Sequence, residues 1–359
     1  MKLKNKPCGV ILAPGNSVNH LDHIAPISQF LNFPIYTDEE LLIETTKKYY
    51  PQATPVFIKN KALICPSIVM GKYNFLFVSS SQYINNLTPY FNVTTKRKMY
   101  YWFCPHGHSD KNIEQFGHQE FIFYYGNLLH KRLAKEGYIS NFLGMVRTGN
   151  YRLSFYQNNK SFYDRLVDKE IFSKFERKQK VILYAPTWID TENSSSYVEN
   201  GLKLIQQVPS HINLIVKLHP WLEGQKPAHV LQMEEISKNL KNVVVLSKYP
   251  LVYPILDRTD IYLGDFSSVG YDFLCYQRPM FFIDSPNRLN IREDSSFLHK
   301  CGTIVPVGKC NNIFHFIEQS ILRGPCYSKI QRDLNDETFG DQKSGSEIKK
   351  DVTSVVNQF

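Results

Sequence analysis

Short apolar runs rich in Val, Ile, Phe and Tyr recur along the chain, separated by longer segments of mixed character. In the first half the runs are GVILAP (9–14), FPIY (33–36), TPVFIK (54–59), YNFLFVSS (73–80), MYYWFCP (99–105), FIFYYG (121–126) and FLGMVRTG (142–149). In the second half they are KVILYAP (180–186), INLIVKLHP (212–220), NVVVLSK (242–248), DIYLGD (260–265) and RPMFFID (278–284). Several are continuously apolar rather than alternating, the pattern of strands covered on both faces in a parallel sheet. Helical patterns fill the gaps at 197–208, 230–240, 250–258 and 267–277, and NLLHKRLAKEGY follows the 121–126 run. TDEELLIETTKKYY opens on Thr37 with Glu40 three residues later, which predicts a capping box. The alternation predicts an α/β, doubly wound architecture, present twice.

The stretch RTGNYRLSFYQNNKSFYDR is polar, rich in Asn and Tyr, and stands between the two series. It marks a boundary near 150–175. The expected division is an N-terminal domain over 1–155, a second over 156–335, and a tail over 336–359 that packs back toward the first.

Composition narrows the class. The chain has 359 residues, 43% hydrophobic and 21% charged, which suits two globular cores. Its seven cysteines form no CxxC pair and several lie in apolar runs, which predicts reduced thiols in a cytoplasmic protein. No run approaches the ~18 uninterrupted apolar residues of a spanning helix. The formal charge of +9 favours an anionic partner: nucleotide, phosphorylated polymer, anionic membrane surface or nucleic acid. No basic tail or arginine-rich helix directs it to nucleic acid.

Ligands of open α/β sheets bind outside the carboxyl ends of the strands. The 99–105 run ends in His106-Gly107-His108, with Lys111 beyond; the 142–149 run leads to Arg152. The 180–186 run leads to Thr187 and Trp188, and the 212–220 run carries Lys217 and His219. The 260–265 run ends in Asp265 and is followed by Ser267 and Ser268. Each has a plainer reading. His219-Pro220 also serves as a strand stop. Asp265, Ser267 and Ser268 also suit the N-cap of the next helix. Asp272 is equally a buried helix acid or a ligand to ribose or base, Trp188 belongs to core or rim, and Lys111 is a solvated charge. His-x-His supplies two metal ligands and His118 a third, but no familiar set completes them, so no metal is assigned. HExxH, the P-loop, GxGxxG and GxSxG are all absent.

Taken in order, His106-Gly107…Lys111, Gly149-Asn150-Tyr151-Arg152, YAPTWID (184–190), KLHP (217–220), DFSSVGYDF (265–273) and RPMFFID resemble the CDP-glycerol glycerophosphotransferase family, which builds teichoic-acid-type polyol-phosphate chains. The tail GDQKSGSEI is similar to the family's closing segment. Ile189 stands where the family usually has Arg, Tyr151 replaces a proline, and His108-Ser109 replaces Thr-Pro. The first ~100 residues match only in general pattern.

The resemblance implies a GT-B-like fold, two Rossmann-like domains facing across a cleft, with the acceptor side in the first domain and the CDP donor held mainly by the second. It implies CDP-glycerol or CDP-ribitol as donor, a glycan or lipid-linked acceptor, and a place at the inner face of the cytoplasmic membrane. His106 is then the base, with Gly107 letting the chain turn beside the ligand and His108 in support. His219 contacts the pyrophosphate. Ser267 and Ser268 cradle phosphate oxygens, Arg152 and Lys217 add positive charge, and Thr187 and Asp265 complete the donor site. Two other readings stay open: a sugar-nucleotide glycosyltransferase or epimerase on the same fold, and a non-catalytic protein that binds anionic surfaces.

Overall fold

The apolar runs become two parallel sheets. The computed structural model describes residues 8–10, 18–71, 73–79, 92–96, 98–109, 113–190, 195–283 and 297–359. They divide into two compact units, one of Met1–Asn158 with Asp336–Phe359, the other of Asn159–Asn335.

Among the described residues the first unit holds seven strands: β1 (Cys8–Val10), β2 (Ile35–Thr37), β3 (Pro55–Phe57), β4 (Phe75–Val78), β5 (Tyr100–Phe103), β6 (Phe121–Tyr124) and β7 (Gly144–Arg147). Their order across the sheet is β3-β2-β1-β4-β5-β6-β7, all parallel. The register sets Phe77 beside Trp102 and Trp102 beside Phe121. Their rings stack at 5.1 and 5.3 Å, making an aromatic ladder through the buried sheet. Among the described residues its helices before the boundary are α1 (Val18–Leu31), α2 (Glu40–Tyr49), α3 (Lys61–Met70), α4 (Asn127–Lys135) and α5 (Tyr151–Asn158).

The second unit holds β8 (Lys180–Ala185), β9 (Ile212–Lys217), β10 (Val243–Leu246), β11 (Ile261–Gly264), β12 (Met280–Ile283) and β13 (Thr303–Val305). Their order is β10-β9-β8-β11-β12-β13, again all parallel. Renumbered from β8 this is 3-2-1-4-5-6, the doubly wound order that the first sheet also follows. In each sheet the winding reverses beside the first strand, between β1 and β4 and between β8 and β11. Its helices are α6 (Lys160–Glu170), α7 (Tyr197–Gln207), α8 (Pro220–Gln225), α9 (Pro227–Ser237), α10 (Tyr253–Leu256), α11 (Ser268–Phe273) and α12 (Ile313–Arg323). α13 (Ser328–Phe339) crosses the boundary, and α14 (Gly345–Val356) packs on α1 and β7 of the first unit.

Several local expectations change. The capping box does not form: Thr37 ends β2, and its hydroxyl accepts the Glu39 N–H at 3.2 Å. Glu39 is the N-cap of α2 and makes no side-chain cap bond. The polar boundary stretch forms two helices, Tyr151–Asn158 and Lys160–Glu170. Tyr151, Leu153, Phe155 and Tyr156 bury α5 on several sides, and α6 buries Tyr163 and Val167 four residues apart. The last part of the 9–14 run and the aspartate that closes the 278–284 run lie outside the described residues. Among the described residues no helix is long and apolar enough to cross a membrane. Cys104, Cys275, Cys301, Cys310 and Cys326 are free thiols.

Candidate active site

In the first unit the chain leaves β5 through Cys104 and Pro105 and turns sharply at Gly107, whose φ of +117° suits glycine. The Tyr125 hydroxyl staples this turn. It donates to the Pro105 carbonyl at 2.8 Å and accepts the Gly107 N–H at 2.9 Å. The staple directs His106 toward Ser79, at the carboxyl end of neighbouring β4, with Nδ1 3.0 Å from the Ser79 carbonyl oxygen. A carbonyl can only accept, so Nδ1 carries the proton and Nε2 is the basic nitrogen. The His106 side chain is exposed, yet it stands among enough protein that desolvation lowers its pKa; the Ser79 carbonyl acts in the opposite direction.

His108 turns the other way, into the protein, where it is 2% exposed. Burial, and then the Arg132 charge, lower its pKa to about 3. Arg132 also donates to the Ser109 carbonyl at 2.7 Å. His108 is therefore a neutral packing group under the turn. Lys111 lies outside the described residues.

Sequence reasoning passed over His20, Asp22 and His23, all on α1. The His20 ring stacks on His106 at 4.7 Å, and His23 meets it edge-on at 6.5 Å. Asp22 is buried between the Arg152 guanidinium, which donates from Nε at 2.9 Å and also from Nη2, and the Tyr50 hydroxyl at 3.0 Å. Arg152, expected at a phosphate, is itself 4% exposed and spends its charge on this pair. The Tyr151 hydroxyl donates to the His23 carbonyl at 2.9 Å. The available signal was the His-x-x-His spacing of NHLDHI, which puts both rings on one face of a helix.

In the second unit Asp265 ties the switch point together. It is 1% exposed and accepts the Thr187 N–H at 2.8 Å and the Ser196 N–H at 3.2 Å. Gly264 is needed just before it, since a Cβ there would stand 2.7 Å from the Ala185 carbonyl oxygen. Asp265 thus fixes the segment after β8. Ser267 is the N-cap of α11 by position, but its side chain makes no cap bond and lies 3.3 Å from the Tyr262 hydroxyl. Ser268 begins the helix. Asp272 is 2% exposed and accepts from the Tyr253 hydroxyl at 2.9 Å, which makes it a paired helix acid. The Lys217 ammonium is buried and donates to the Tyr249 carbonyl at 3.0 Å.

His219 caps α8. Its Nδ1 lies 3.2 Å from the Trp221 N–H, which can only donate. Nδ1 therefore accepts and Nε2 carries the proton, the reverse of His106. The Trp188 ring stands 6.4 Å from His219 and 5.1 Å from Trp221. Gln225 holds this segment by both backbone groups of Ile189, accepting the N–H at 3.0 Å and donating to the carbonyl at 2.9 Å.

The sequence pattern of the CDP-Glycerol:Poly(glycerophosphate) glycerophosphotransferase family matches residues 127–286. That segment, under half of the chain, is similar to the family. The matched segment contains Arg152, Thr187, Lys217, His219, Asp265, Ser267, Ser268 and Asp272, and leaves His106 outside. Two curated relatives are teichoic acid glycerol-phosphate primases. The one from Bacillus subtilis (strain 168) is 32% identical over 157 residues, covering 43% of this chain and 38% of the relative. The one from Bacillus spizizenii is 29% identical over 126 residues, covering 34% and 30%. The matches thus span well under half of either relative's length. Among solved structures, a wall teichoic acid polymerase TagF aligns with a TM-score of 0.64 at 14% identity, covering 99% of this chain and 89% of that one. A UDP-GlcNAc 2-epimerase from Neisseria meningitidis aligns at 0.59 and 13%, covering 99% and 100%. These two show the GT-B-like fold alone.

The buried His108 carries a stability prediction. Its folded pKa lies below its unfolded value, so the unfolded chain binds the extra proton, and stability falls as pH drops from about 6.5 toward about 3. At pH 5 this group costs on the order of 2 kcal/mol relative to neutral pH. Urea unfolding at pH 7.5 and pH 5 should show a smaller loss for His108→Gln than for the unsubstituted protein.

Proposed function

We propose that the protein transfers a polyol phosphate, with glycerol phosphate the first candidate, from a CDP-activated donor to an acceptor hydroxyl. The observation that carries this reading is the family match over residues 127–286, which takes in His219 with its Nε2–H donor; His106, with a basic Nε2, is the base we assign from the first unit. The acceptor oxygen attacks the distal phosphorus of the donor. Its proton goes to His106 Nε2, a new phosphodiester bond forms, and the bond to CMP breaks. His219 donates to a pyrophosphate oxygen as charge gathers on the leaving CMP. Thr187, Ser267 and Ser268 line the donor side, and Asp265 holds their loops in place. The names of the primase relatives support glycerol phosphate and a teichoic-acid-type product. The acceptor in this reading is a glycan or lipid-linked chain.

Incubation with CDP-glycerol, CDP-ribitol and a panel of UDP-sugars tests the reaction. CMP release with a new phosphodiester signal by phosphorus NMR is expected. Product from UDP-sugars alone would favour the epimerase or glycosyltransferase reading.

A general base contributes roughly 10²–10⁴ in rate. His106→Asn should lose that much turnover and keep donor affinity by calorimetry. Because its pKa is lowered, the unsubstituted enzyme should hold its rate on acidification to about 6.5 and decline only below it, as protonation removes the base. A decline centred above 6.5 would remove His106 from the role.

His219→Ala should cost ~10²–10³ in turnover with little change in thermal unfolding. Unchanged turnover would take it out of the donor site.

The chain acts at the inner face of the cytoplasmic membrane, drawn there by its +9 charge. Binding to vesicles containing anionic lipid should fall steeply between 0.05 and 0.5 M salt, at roughly the Debye screening scale. Salt-insensitive binding would overturn the electrostatic origin.

A further inference from the structure

We infer that His20 is a positioning residue for His106, acting through Ser79. The inference rests on the role proposed for His106, but the contacts that carry it stand independently. The His106 Nδ1–H is directed by the Ser79 carbonyl, so its aim depends on how that peptide is turned. The hydroxyl of the same Ser79 lies 2.8 Å from His20 Nδ1. One residue thus receives both imidazoles, one on its carbonyl and one on its side chain. His20 also lies flat on the His106 ring, with centroids 4.7 Å apart and planes within 20°, so it blocks one face against ring rotation. His23, one turn along α1, meets the same ring at 86°.

A clamp works only if its own support is rigid. α1 is held by the buried Asp22, which receives Arg152 and Tyr50, and by Tyr151 on the His23 carbonyl. His20 itself is 7% exposed and Ser79 is 1% exposed. Competition from water for the bond between them is therefore small. The switch point of the first sheet, between β1 and β4, brings the start of α1 beside the ends of β4 and β5. The proton on Nδ1 defines Nε2 as the base. Loosening Ser79 would let the ring exchange tautomers and lose its direction, although no group that touches substrate has been removed.

Two substitutions separate the parts of the clamp. His20→Phe keeps a flat ring over His106 but loses the Ser79 bond. His20→Asn offers an amide nitrogen near the place of Nδ1 and restores the bond without the ring. His20→Phe should lower kcat for CMP release from CDP-glycerol about 10–100-fold, the scale of lost second-layer support. Donor affinity by calorimetry should not change, and His20→Asn should recover most of the rate. Nitrogen-15 NMR of the imidazoles should show His106 as the Nδ1–H tautomer in the unsubstituted protein and as a tautomer mixture in His20→Phe. Ser79→Ala, which keeps the carbonyl and removes the gripped hydroxyl, should reproduce that mixture and serves if His20→Phe fails to fold. A single unchanged Nδ1–H tautomer in the folded His20 or Ser79 variants would overturn the inference. So would kcat within twofold of the unsubstituted enzyme. If the unsubstituted protein released no CMP from any CDP-polyol, the proposed reaction would fall, and the NMR result would still decide the role of His20.

Discussion

Among the described residues both sheets are built of parallel strands alone, and a parallel sheet must be covered on both faces. This constraint sets the rest of the architecture. Each strand is followed by a crossover that returns the chain to the same starting edge, so all the carboxyl ends in a unit open on one side. Where the winding reverses, crossovers depart to opposite faces and leave a gap that helices do not fill. In the first unit Ser79, His106 and the start of α1 gather at that gap. In the second unit Thr187 and Asp265 gather there, with Lys217 at the end of the next strand and His219 just beyond it.

The buried charges near these gaps are committed to the protein. Arg152 answers Asp22, and Asp265 satisfies backbone N–H groups after β8. Lys217 is bound to a carbonyl. Burying such groups is costly unless they are paired, and breaking one partner leaves the other stranded. Their commitment holds the loops that carry His106 and His219. Rigid support is what electrostatic catalysis needs, because dipoles fixed in advance cost no reorganisation in the transition state.

The strands were legible in the sequence because a strand buried on both faces writes itself as an unbroken apolar run. β8, β9 and β11 match such runs within a residue or two, apart from their Pro-containing ends. α1 was not legible. Pro26 lies in its middle, and a local reading takes an internal proline as a break. α5 was hidden for another reason: beside Leu153 and Phe155 it buries Tyr151, Arg152, Ser154 and Tyr156, which resemble a polar linker until Asp22 is known to receive Arg152. β13 is three residues long and gives almost no periodic signal.

The sequence by itself determined the α/β alternation, the division into two units, and the residue types offered at strand ends: His106, His219, Asp265 and the serines. These follow from local pattern, since strand, turn and helix propensities act over a few residues. Only the tertiary structure decided what each group faces. His108 is two residues from His106, yet one is buried and neutral while the other sits at an exposed turn. Asp22 is 130 residues from Arg152, and His20 is 59 from Ser79. The protons of the two histidines follow from such partners, a carbonyl across a strand gap for one and its own helix N–H for the other. Hydrogen bonds between residues remote in sequence depend on the sheet order, and no window of neighbouring residues contains that information.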